Sequence, residues 1–179
     1  ICKKMKILDL GCGDAKYKSN DNIVIGIDNV KLKTVDIVHD LNKFPYPFKK
    51  DEFDLIYTSH TLEHLDNLDG VFHELIRITK PRGRILIRVP HFSCGVSYRD
   101  PTHKRLFSYF TFDYFTDKCF YTKSKFKIIR RKLNFTRQNF TFLNYIFNPI
   151  INISPLIYER FFCWILSCAE VIAELEVKK

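Results

Sequence analysis

The chain has 179 residues, enough for one domain with a sizeable hydrophobic core. A hydrophobic content of 46% and an aromatic content of 15% exclude an intrinsically disordered chain. The formal net charge of +9 fits an acidic partner such as nucleic acid, anionic lipid or a phosphorylated substrate, and it fits a merely solvated basic rim equally well.

The six cysteines are scattered along the chain without a C-x-x-C pair. This usage favours reduced thiols in a cytoplasm over a disulfide framework or a zinc site. We therefore expect a cytoplasmic protein without a metal site. Much of the positive charge falls between Arg99 and Lys132, and this basic stretch includes Lys123.

The first predicted strand ends in a tight glycine turn. Ile7 and Leu8 indicate the end of a buried strand, and Asp9-Leu10-Gly11-Cys12-Gly13 follows them directly. Glycine lacks a Cβ, so the backbone can turn sharply here and approach a bound ligand closely. In open α/β sheets the ligand crevice lies outside the carboxyl end of such a strand. The turn predicts a ligand site, although an ordinary glycine turn that binds no ligand would have the same sequence pattern.

Carboxylates follow the next two predicted strands. The apolar run 23–28 ends at Asp28, and the strand over 35–38 is followed by His39-Asp40-Leu41. In nucleotide-binding α/β units, an acid at the end of the second strand binds the ribose hydroxyls. A fourth predicted strand, 53–57, also leads into polar residues. Four such strand ends indicate one crevice at the edge of a parallel sheet.

With these motifs in place, the sequence resembles the class I S-adenosylmethionine-dependent methyltransferases, close to the group called type 11. The resemblance covers half of the chain, from Lys6 to Val89, and its motifs stand in the family's order. They are Asp9-Leu10-Gly11-Cys12-Gly13, Gly26-Ile27-Asp28, His39-Asp40-Leu41, Phe53-Asp54-Leu55-Ile56, Leu62-Glu63-His64-Leu65 and the run from Glu74 to Arg84.

The resemblance implies an α/β fold with a Rossmann-like, seven-stranded, mostly parallel sheet flanked by helices. It also implies a helical insertion before a reversed last strand at 171–177, where continuation of the preceding helix is the alternative. The cofactor would be S-adenosylmethionine. The implied cofactor-binding residues lie at the strand ends: Asp9, Leu10, Gly11, Cys12, Gly13, Asp28, Asn29, Asp40, Leu41, Ser59, His60 and His64.

Within this set, Asp40 and Leu41 are expected beside the adenine, because a carboxylate can accept from its exocyclic amine and a backbone amide can donate to its ring. We treat 1–179 as a single methyltransferase domain. Residues 1–92 would bind the cofactor, and 93–179, with an inserted aromatic segment at about 136–170, would face the acceptor. Two features depart from the family: the first crossover, 14–22, is too short for a full helix, and Ala15 replaces a frequent third glycine.

The corner at 58–65 after the fourth strand excludes several chemistries. It lacks the Asn/Asp-Pro-Pro-Tyr motif of many amino methylases, the Pro-Cys nucleophile of cytosine-C5 enzymes and the glutamate pair of protein arginine methylases. Its letters contain H-x-x-E-H, a zinc-protease pattern. We reject that interpretation, because the pattern needs a helix interior, a third ligand and a different fold. What remains favours a hydroxyl or carboxyl acceptor, or a less common nitrogen.

The polar loop 95–105 follows the fifth predicted strand and is the best candidate for acceptor binding, with a surface turn capped by Asp100 as the alternative. A hydroxyl acceptor must lose a proton, which histidine can accept near neutral pH. We predict His103, His91 and His60 as candidate catalytic bases, in that order.

Residues 138–158 carry no charge, and asparagines and prolines interrupt their apolar and aromatic side chains. A membrane-spanning helix needs about 20 mostly apolar residues, so these interruptions exclude one. Three interpretations stay open: core packing of an inserted helical pair, a lid over an apolar substrate pocket, and peripheral contact with a membrane beside the basic rim.

We therefore predict a methyltransferase that acts at oxygen on a small-molecule, glycan or lipid-linked acceptor. Nucleic acid is a less favoured partner: the basic surface motivates an RNA methyltransferase, but the Asn/Asp-Pro-Pro-Tyr corner is absent. A non-catalytic cofactor-binding partner subunit is the other alternative, which the short first crossover permits. The acceptor and the oligomeric state stay open.

Overall fold

Seven strands form one sheet in the computed structural model, which describes residues 4–122 and 124–179. Cys2 and Lys123 lie outside the described residues. The strands are β1 (Lys6–Leu10), β2 (Ile23–Asp28), β3 (Ile37–Val38), β4 (Phe53–Ser59), β5 (Thr79–Pro90), β6 (Phe126–Asn134) and β7 (Glu170–Val177).

The strand order across the sheet is β3-β2-β1-β4-β5-β7-β6. Strands β1 to β5 pair in parallel, whereas β7 lies antiparallel to both β5 and β6. This arrangement confirms the predicted Rossmann-like, mostly parallel sheet with a reversed last strand. Continuation of the preceding helix over 171–177 is therefore wrong.

Helix α1 (Leu68–Ile78) covers one face of the sheet because its apolar residues recur every three or four positions. Val71, Phe72, Leu75 and Ile78 are completely buried. The side chain of Asn67 accepts a hydrogen bond from the amide of Gly70 and so caps the helix start.

Strand β5 begins directly after α1, earlier than predicted. Thr79 pairs with Phe53, and the next pair joins Arg84 to Leu55, so the regular pairing is interrupted over 80–83. The sequence predicts this strand only over 84–89, because Pro81 and Gly83 indicate a turn.

Besides α1, further helical segments lie outside the sheet. They are a 3-10 turn at Leu62–His64, α2 (Val96–Arg99), a second 3-10 turn at Thr111–Phe115, a third at Thr141–Leu143, α3 (Asn144–Ile153), α4 (Pro155–Ile157) and a π-helical turn at Tyr158–Phe162. The last four lie between β6 and β7 and form the predicted helical insertion. Among the described residues, no helix is long and apolar enough to cross a membrane.

Three asparagines on one face of α3 attach the insertion to the sheet. The Oδ1 atoms of Asn144, Asn148 and Asn152 accept hydrogen bonds from the amides of 136, 135 and 133, at 3.0, 2.7 and 2.8 Å. Spacing of four residues places all three on the same side of the helix. These asparagines therefore complete the hydrogen bonding at the end of β6, and the opposite face of α3 is left apolar and exposed.

Candidate functional site: a crevice at the carboxyl ends of the strands

The glycine turn after β1 forms the floor of the crevice. Gly11 and Gly13 adopt φ values of +73° and +51°, which residues with a Cβ rarely adopt. The amides of Gly11 and Cys12 donate to the carbonyl of Ile27, at 2.9 and 3.2 Å. A Cβ on Gly11 would lie 2.1 Å from Oγ1 of Thr61, so the position requires glycine for space as well as for conformation.

Two carboxylates stand at the next strand ends. Asp28 accepts hydrogen bonds from the amides of Gly13 at 2.9 Å and Val30 at 3.2 Å. Asp40 accepts from the amide of Asn42 at 3.0 Å and lies 3.6 Å from the ammonium group of Lys43. The crevice therefore carries negative charge on fixed side chains at the ends of β2 and β3.

These groups enclose a cavity of about 310 Å³. Its wall contains eight predicted cofactor residues, namely Gly11, Gly13, Asp28, Asn29, Asp40, Leu41, His60 and His64. It also contains Asn42, Thr61 and Leu65, which the sequence analysis missed. Thr61 had no signal of its own, because its role is to fill the space beside a glycine 50 positions away.

Four predicted cofactor residues lie behind the described cavity wall. Leu10 is completely buried in the core, and Cys12 packs close to Gly26. The hydroxyl of Ser59 is buried without a hydrogen-bond partner among the described residues. Asp9 accepts from the amide of Tyr17 at 2.6 Å, and burial raises the pKa of Asp9 to about 6. Their side chains support the turn from inside.

His60 lines the cavity between two carboxylates. Its φ is +56°, its Nδ1 lies 3.4 Å from Oε1 of Glu63, and its Nε2 lies 3.3 Å from Oε2 of Glu170. Burial on its own lowers the pKa of His60, but the nearby carboxylates of Glu170 and Glu63 outweigh it, and the net pKa is raised. Both ring nitrogens therefore already face carboxylates.

Glu170, at the start of β7, is completely buried and gathers several groups around itself. It accepts from the guanidinium of Arg88, from His60 and, at 2.8 Å, from Nδ2 of Asn134. Burial on its own raises the pKa of Glu170, but these hydrogen bonds lower it to about 2. This carboxylate fixes the ends of β4, β5 and β7 beside the cavity.

His91 is completely buried, and both of its ring nitrogens are occupied. Nδ1 accepts from the amide of Ser93 at 3.1 Å, and Nε2 lies 3.1 Å from Oε1 of Glu159 in the insertion. Since Nδ1 accepts, Nε2 carries the proton and donates to Glu159. The geometry gives His91 a structural role, in which it joins the end of β5 to the insertion.

The polar loop 95–105 folds over the corner after β4. The amide of Lys104 donates to the carbonyl of Glu63 at 2.8 Å, and Thr102 Oγ1 lies 2.8 Å from Nδ1 of His64. The rings of His64 and His103 have centroids 4.7 Å apart. The structure therefore places His103 directly beside a histidine of the cavity wall.

The H-x-x-E-H letters do not form the metalloprotease arrangement. Only Leu62–His64 form a 3-10 turn, and His60 precedes it in a left-handed conformation. His60 and His64 therefore do not share the face of a regular helix, and the rejection of a zinc-protease site agrees with the structure. A different trio of ligand-type side chains, Glu63, His64 and His103, does come together.

Comparison with known proteins agrees with this architecture. A family model described as a methyltransferase domain matches residues 2–138, more than half of the chain. A comparison with curated proteins found no match.

Solved structures share the fold at low sequence identity. A S-adenosylmethionine-dependent methyltransferase from Archaeoglobus fulgidus has a TM-score of 0.70 at 18% identity, over 97% of this chain and 86% of that one. A chain from a Haloferax volcanii complex containing the Trm112 methyltransferase activator has a TM-score of 0.63 at 12% identity, over 99% of this chain and 84% of that one. The cyclase SpnF has a TM-score of 0.62 at 16% identity, over 98% of this chain and 75% of that one.

The sheet order, the glycine turn and the family match define the class of this protein. The chain belongs to the methyltransferase-domain family and is a class I S-adenosylmethionine-dependent methyltransferase. Its cofactor is S-adenosylmethionine.

Proposed function

We propose that this enzyme transfers the methyl group to an oxygen of a hydroxyl-bearing acceptor, which binds between the cofactor cavity and the loop 95–105. One observation carries this proposal: His64 lines the cavity, contacts Thr102 and lies beside His103. The acceptor loop and the cofactor cavity therefore share a wall, and an acceptor held by the loop would lie next to the cofactor.

The residues of the cavity suit the parts of the cofactor. Asp28 would accept from the ribose hydroxyls, since each carboxylate oxygen keeps a lone pair beyond its backbone contact. Asp40 and Leu41 would hold the adenine. The turn at Gly11 and Gly13 would approach the methionine portion, because no side chain stands in its way. Asp9, Leu10, Cys12 and Ser59 would act indirectly, by fixing the position of that turn.

The reaction is an in-line displacement at the methyl carbon of the sulfonium. The sulfonium is already a good electrophile, so the protein must mainly align the two reactants and remove the hydroxyl proton. His103 is the best placed of the three predicted bases. Its Nδ1 lies 3.2 Å from the carbonyl of Ser97 and donates to it, which leaves Nε2 free to accept a proton.

The other two predicted bases fit less well. Both nitrogens of His91 are occupied inside the core, at Ser93 and Glu159. Both nitrogens of His60 face carboxylates, and its raised pKa keeps it protonated to higher pH than an ordinary histidine. We propose that these two histidines position the crevice and that His103 serves as base.

A screen for methyl transfer tests this proposal. S-adenosylmethionine labelled in its methyl group is incubated with panels of sugars, phenols, lipid-linked sugars and RNA. We expect incorporation into a hydroxyl compound and, for His103→Ala, a turnover at least about 100-fold lower with cofactor affinity within a few-fold of wild type. His73→Ala, an exposed site on α1, is the control.

Several results would contradict the proposal of methyl transfer to oxygen with His103 as base. Equal turnover of His103→Ala and wild type would remove the base assignment. Incorporation into RNA, together with salt-sensitive binding of RNA, would favour the RNA methyltransferase. Cofactor binding without any transfer would indicate the non-catalytic partner subunit.

The surface of the insertion favours a lipid-linked acceptor. Many large apolar side chains are exposed on 140–165, and Trp164 packs against Phe92 next to His91. The exposed members are Phe140, Phe142, Tyr145, Ile146, Ile150, Ile153, Leu156, Ile157, Phe161, Phe162, Trp164 and Ile165. Exposed apolar side chains of this kind, with Arg137 just before them in the sequence and Arg160 among them, suit the interface of an anionic bilayer.

Co-sedimentation with vesicles of phosphatidylcholine and phosphatidylglycerol tests the contact. We expect binding to anionic vesicles that weakens at least tenfold in Trp164→Asp/Ile165→Asp. Phe120→Asp is the matched control, because Phe120 is 84% exposed but lies outside the insertion. Equal binding of the two variants, or no binding of the wild type, would contradict membrane contact and leave a water-soluble acceptor.

A further inference from the structure

The structure assigns a second ligand site to this enzyme: we propose that Glu63, His64 and His103 bind one divalent transition-metal cation of the zinc class. One ligand atom from each residue lies within 4.8 Å of those from the other two. Glu63 and His64 follow β4, whereas His103 comes from the loop 95–105. The trio exists only because that loop folds back onto the corner.

The carboxylate of Glu63 is the strongest sign of a missing partner. Its side chain is completely buried, and neither oxygen has a hydrogen-bond partner among the described residues. The nearest imidazole nitrogens are Nδ1 of His60 at 3.4 Å and Nε2 of His103 at 4.0 Å from Oε1. Burying an ionised carboxylate is costly unless it is paired or coordinates a metal. A cation between Glu63 and the two imidazoles would satisfy it.

Hydrogen bonding leaves the Nε2 atom of His64 available as a ligand. The hydroxyl of Thr102 donates to Oδ1 of Asp100 at 2.6 Å, and Nδ1 of His64 lies 2.8 Å from the same hydroxyl oxygen. A hydroxyl has one proton to donate, so Nδ1 of His64 must be the donor in its own contact. The unprotonated nitrogen of neutral His64 is therefore Nε2.

The same argument applies to His103. Its Nδ1 lies 3.2 Å from the backbone carbonyl of Ser97, which can only accept. Nε2 of the neutral ring is again the free nitrogen, and it faces Oε1 of Glu63 and Oδ2 of Asp100, the latter at 3.7 Å. Metal-binding histidines usually donate their second ring proton to an oxygen in this way. Both imidazoles thus have the protonation pattern that a cation requires.

Two histidines and one glutamate form a ligand set that suits zinc with one open position. Ligand atoms around a tetrahedral zinc ion lie about 3.4 Å apart, so binding would draw the three groups together by up to about 1.4 Å. His64 belongs to the cavity wall. The open position can therefore face the acceptor.

The chemical role of the cation rests on the proposed function. A hydroxyl oxygen bound to the cation is more acidic and releases its proton to solvent water. The resulting alkoxide would attack the methyl carbon, so that the O–C bond forms, the C–S bond breaks, and the methyl ether and S-adenosylhomocysteine are the products. With the cation bound, Nε2 of His103 would be a ligand and no longer the base, because the cation would lower the pKa of the acceptor hydroxyl far enough for water to take its proton.

Zinc titration by calorimetry tests the site without reference to activity. Protein freed of metal by chelation should bind one Zn²⁺ per chain at this site, and Co²⁺ in its place should show tetrahedral absorption. Glu63→Gln and His64→Ala should each weaken binding at least about 100-fold. Thr102→Val, which removes the hydroxyl between His64 and Asp100 but none of the three ligands, should weaken it about tenfold. His73→Ala controls for zinc bound elsewhere, and circular dichroism checks that each variant folds.

Absence of such binding in the wild type, or binding that Glu63→Gln and His64→Ala leave unchanged, would overturn the site. Methyl transfer and cofactor binding, measured on the same preparations, report on the proposed function separately. Transfer without zinc binding would remove the site and keep the function. Zinc binding that depends on the trio, in a protein that transfers no methyl group, would keep the site and remove the function.

Discussion

The two sides of the crevice satisfy their polar groups in different ways. On the cofactor side, Asp28 binds backbone amides two and fifteen residues away, and Asp9 binds one eight residues away. On the acceptor side, the buried carboxylate of Glu63 has no hydrogen-bond partner among the described residues. The imidazoles nearest to it belong to His60, three residues away, and to His103 in the loop 95–105. On the cofactor side, backbone amides thus satisfy the carboxylates of Asp28 and Asp9. On the acceptor side, both oxygens of Glu63 can still accept a further partner.

The largest effect is expected at the glycine turn, where the cofactor side can be broken. In Gly11→Ala the new Cβ meets the Thr61 side chain at 2.1 Å and must also adopt φ near +73°. We expect loss of S-adenosylmethionine affinity by more than about 100-fold, and a stability loss of about 3 kcal/mol from overpacking and backbone strain together. Calorimetry with the cofactor and urea unfolding measure the two quantities.

Gly13→Ala is the matched control for this prediction. Its Cβ would meet nothing within 4 Å, so only the backbone strain at φ +51°, about 1 kcal/mol, remains. If both variants lost the same cofactor affinity, the contact with Thr61 would not be what shapes the turn.

The second effect tests how the acceptor side is fixed. Glu170→Gln removes a buried charge beside Arg88 and His60, and we expect a stability loss of about 3 kcal/mol at pH 7. The pKa of Glu170 is lowered from 4.5 to about 2. Its contribution is therefore complete above pH 4.5 and lost as the pH falls towards 2.

Urea unfolding across this pH range checks the prediction. The wild type should lose stability between about pH 4.5 and 2 more steeply than Glu170→Gln. Parallel pH profiles for the two proteins would show that Glu170 is not the carboxylate that holds these strand ends together.

The smallest effect concerns Asp9 and returns to the cofactor side. Burial raises its pKa from 3.8 to about 6, so its ionised form destabilises the fold above pH 6, and stability should rise as the pH falls from 6 towards 3.8. Asp9→Asn keeps an acceptor for the Tyr17 amide. We expect a gain of about 1 kcal/mol at pH 7.5 by urea unfolding, with a flatter pH profile.

Cofactor affinity of Asp9→Asn sharpens the comparison further. A change below about threefold would agree with a supporting role behind the cavity wall. A loss of more than about tenfold would instead show that this carboxylate acts on the cofactor itself.

Local patterns predicted several residues that line the cavity in the structure. Gly11, Gly13 and Asp28 were found because a strand, a tight turn and an acid at the next strand end lie close together in sequence. Thr61 was missed because its role is to fill space against Gly11, and no sequence pattern reports a contact over 50 positions.

The asparagines of the insertion also have a role that depends on a distant part of the chain. Its asparagines were interpreted only as interruptions of an apolar segment. In the structure, Asn144, Asn148 and Asn152 share one face of α3 and bind the backbone at the end of β6. The periodicity was present in the sequence, but the strand end that it serves was not identifiable without the fold.

The sequence alone determined the sheet, the glycine turn and the acids behind the second and third strands, since alternation of apolar residues and the conformational freedom of glycine act over a few positions. Only the tertiary structure decided which histidines lie together. His91 lies in the core, where its Nε2 contacts Glu159. His103 lies beside Glu63 and His64, where the amide of Lys104 donates to the Glu63 carbonyl. Such contacts depend on how remote segments pack, and packing is a property of the whole chain.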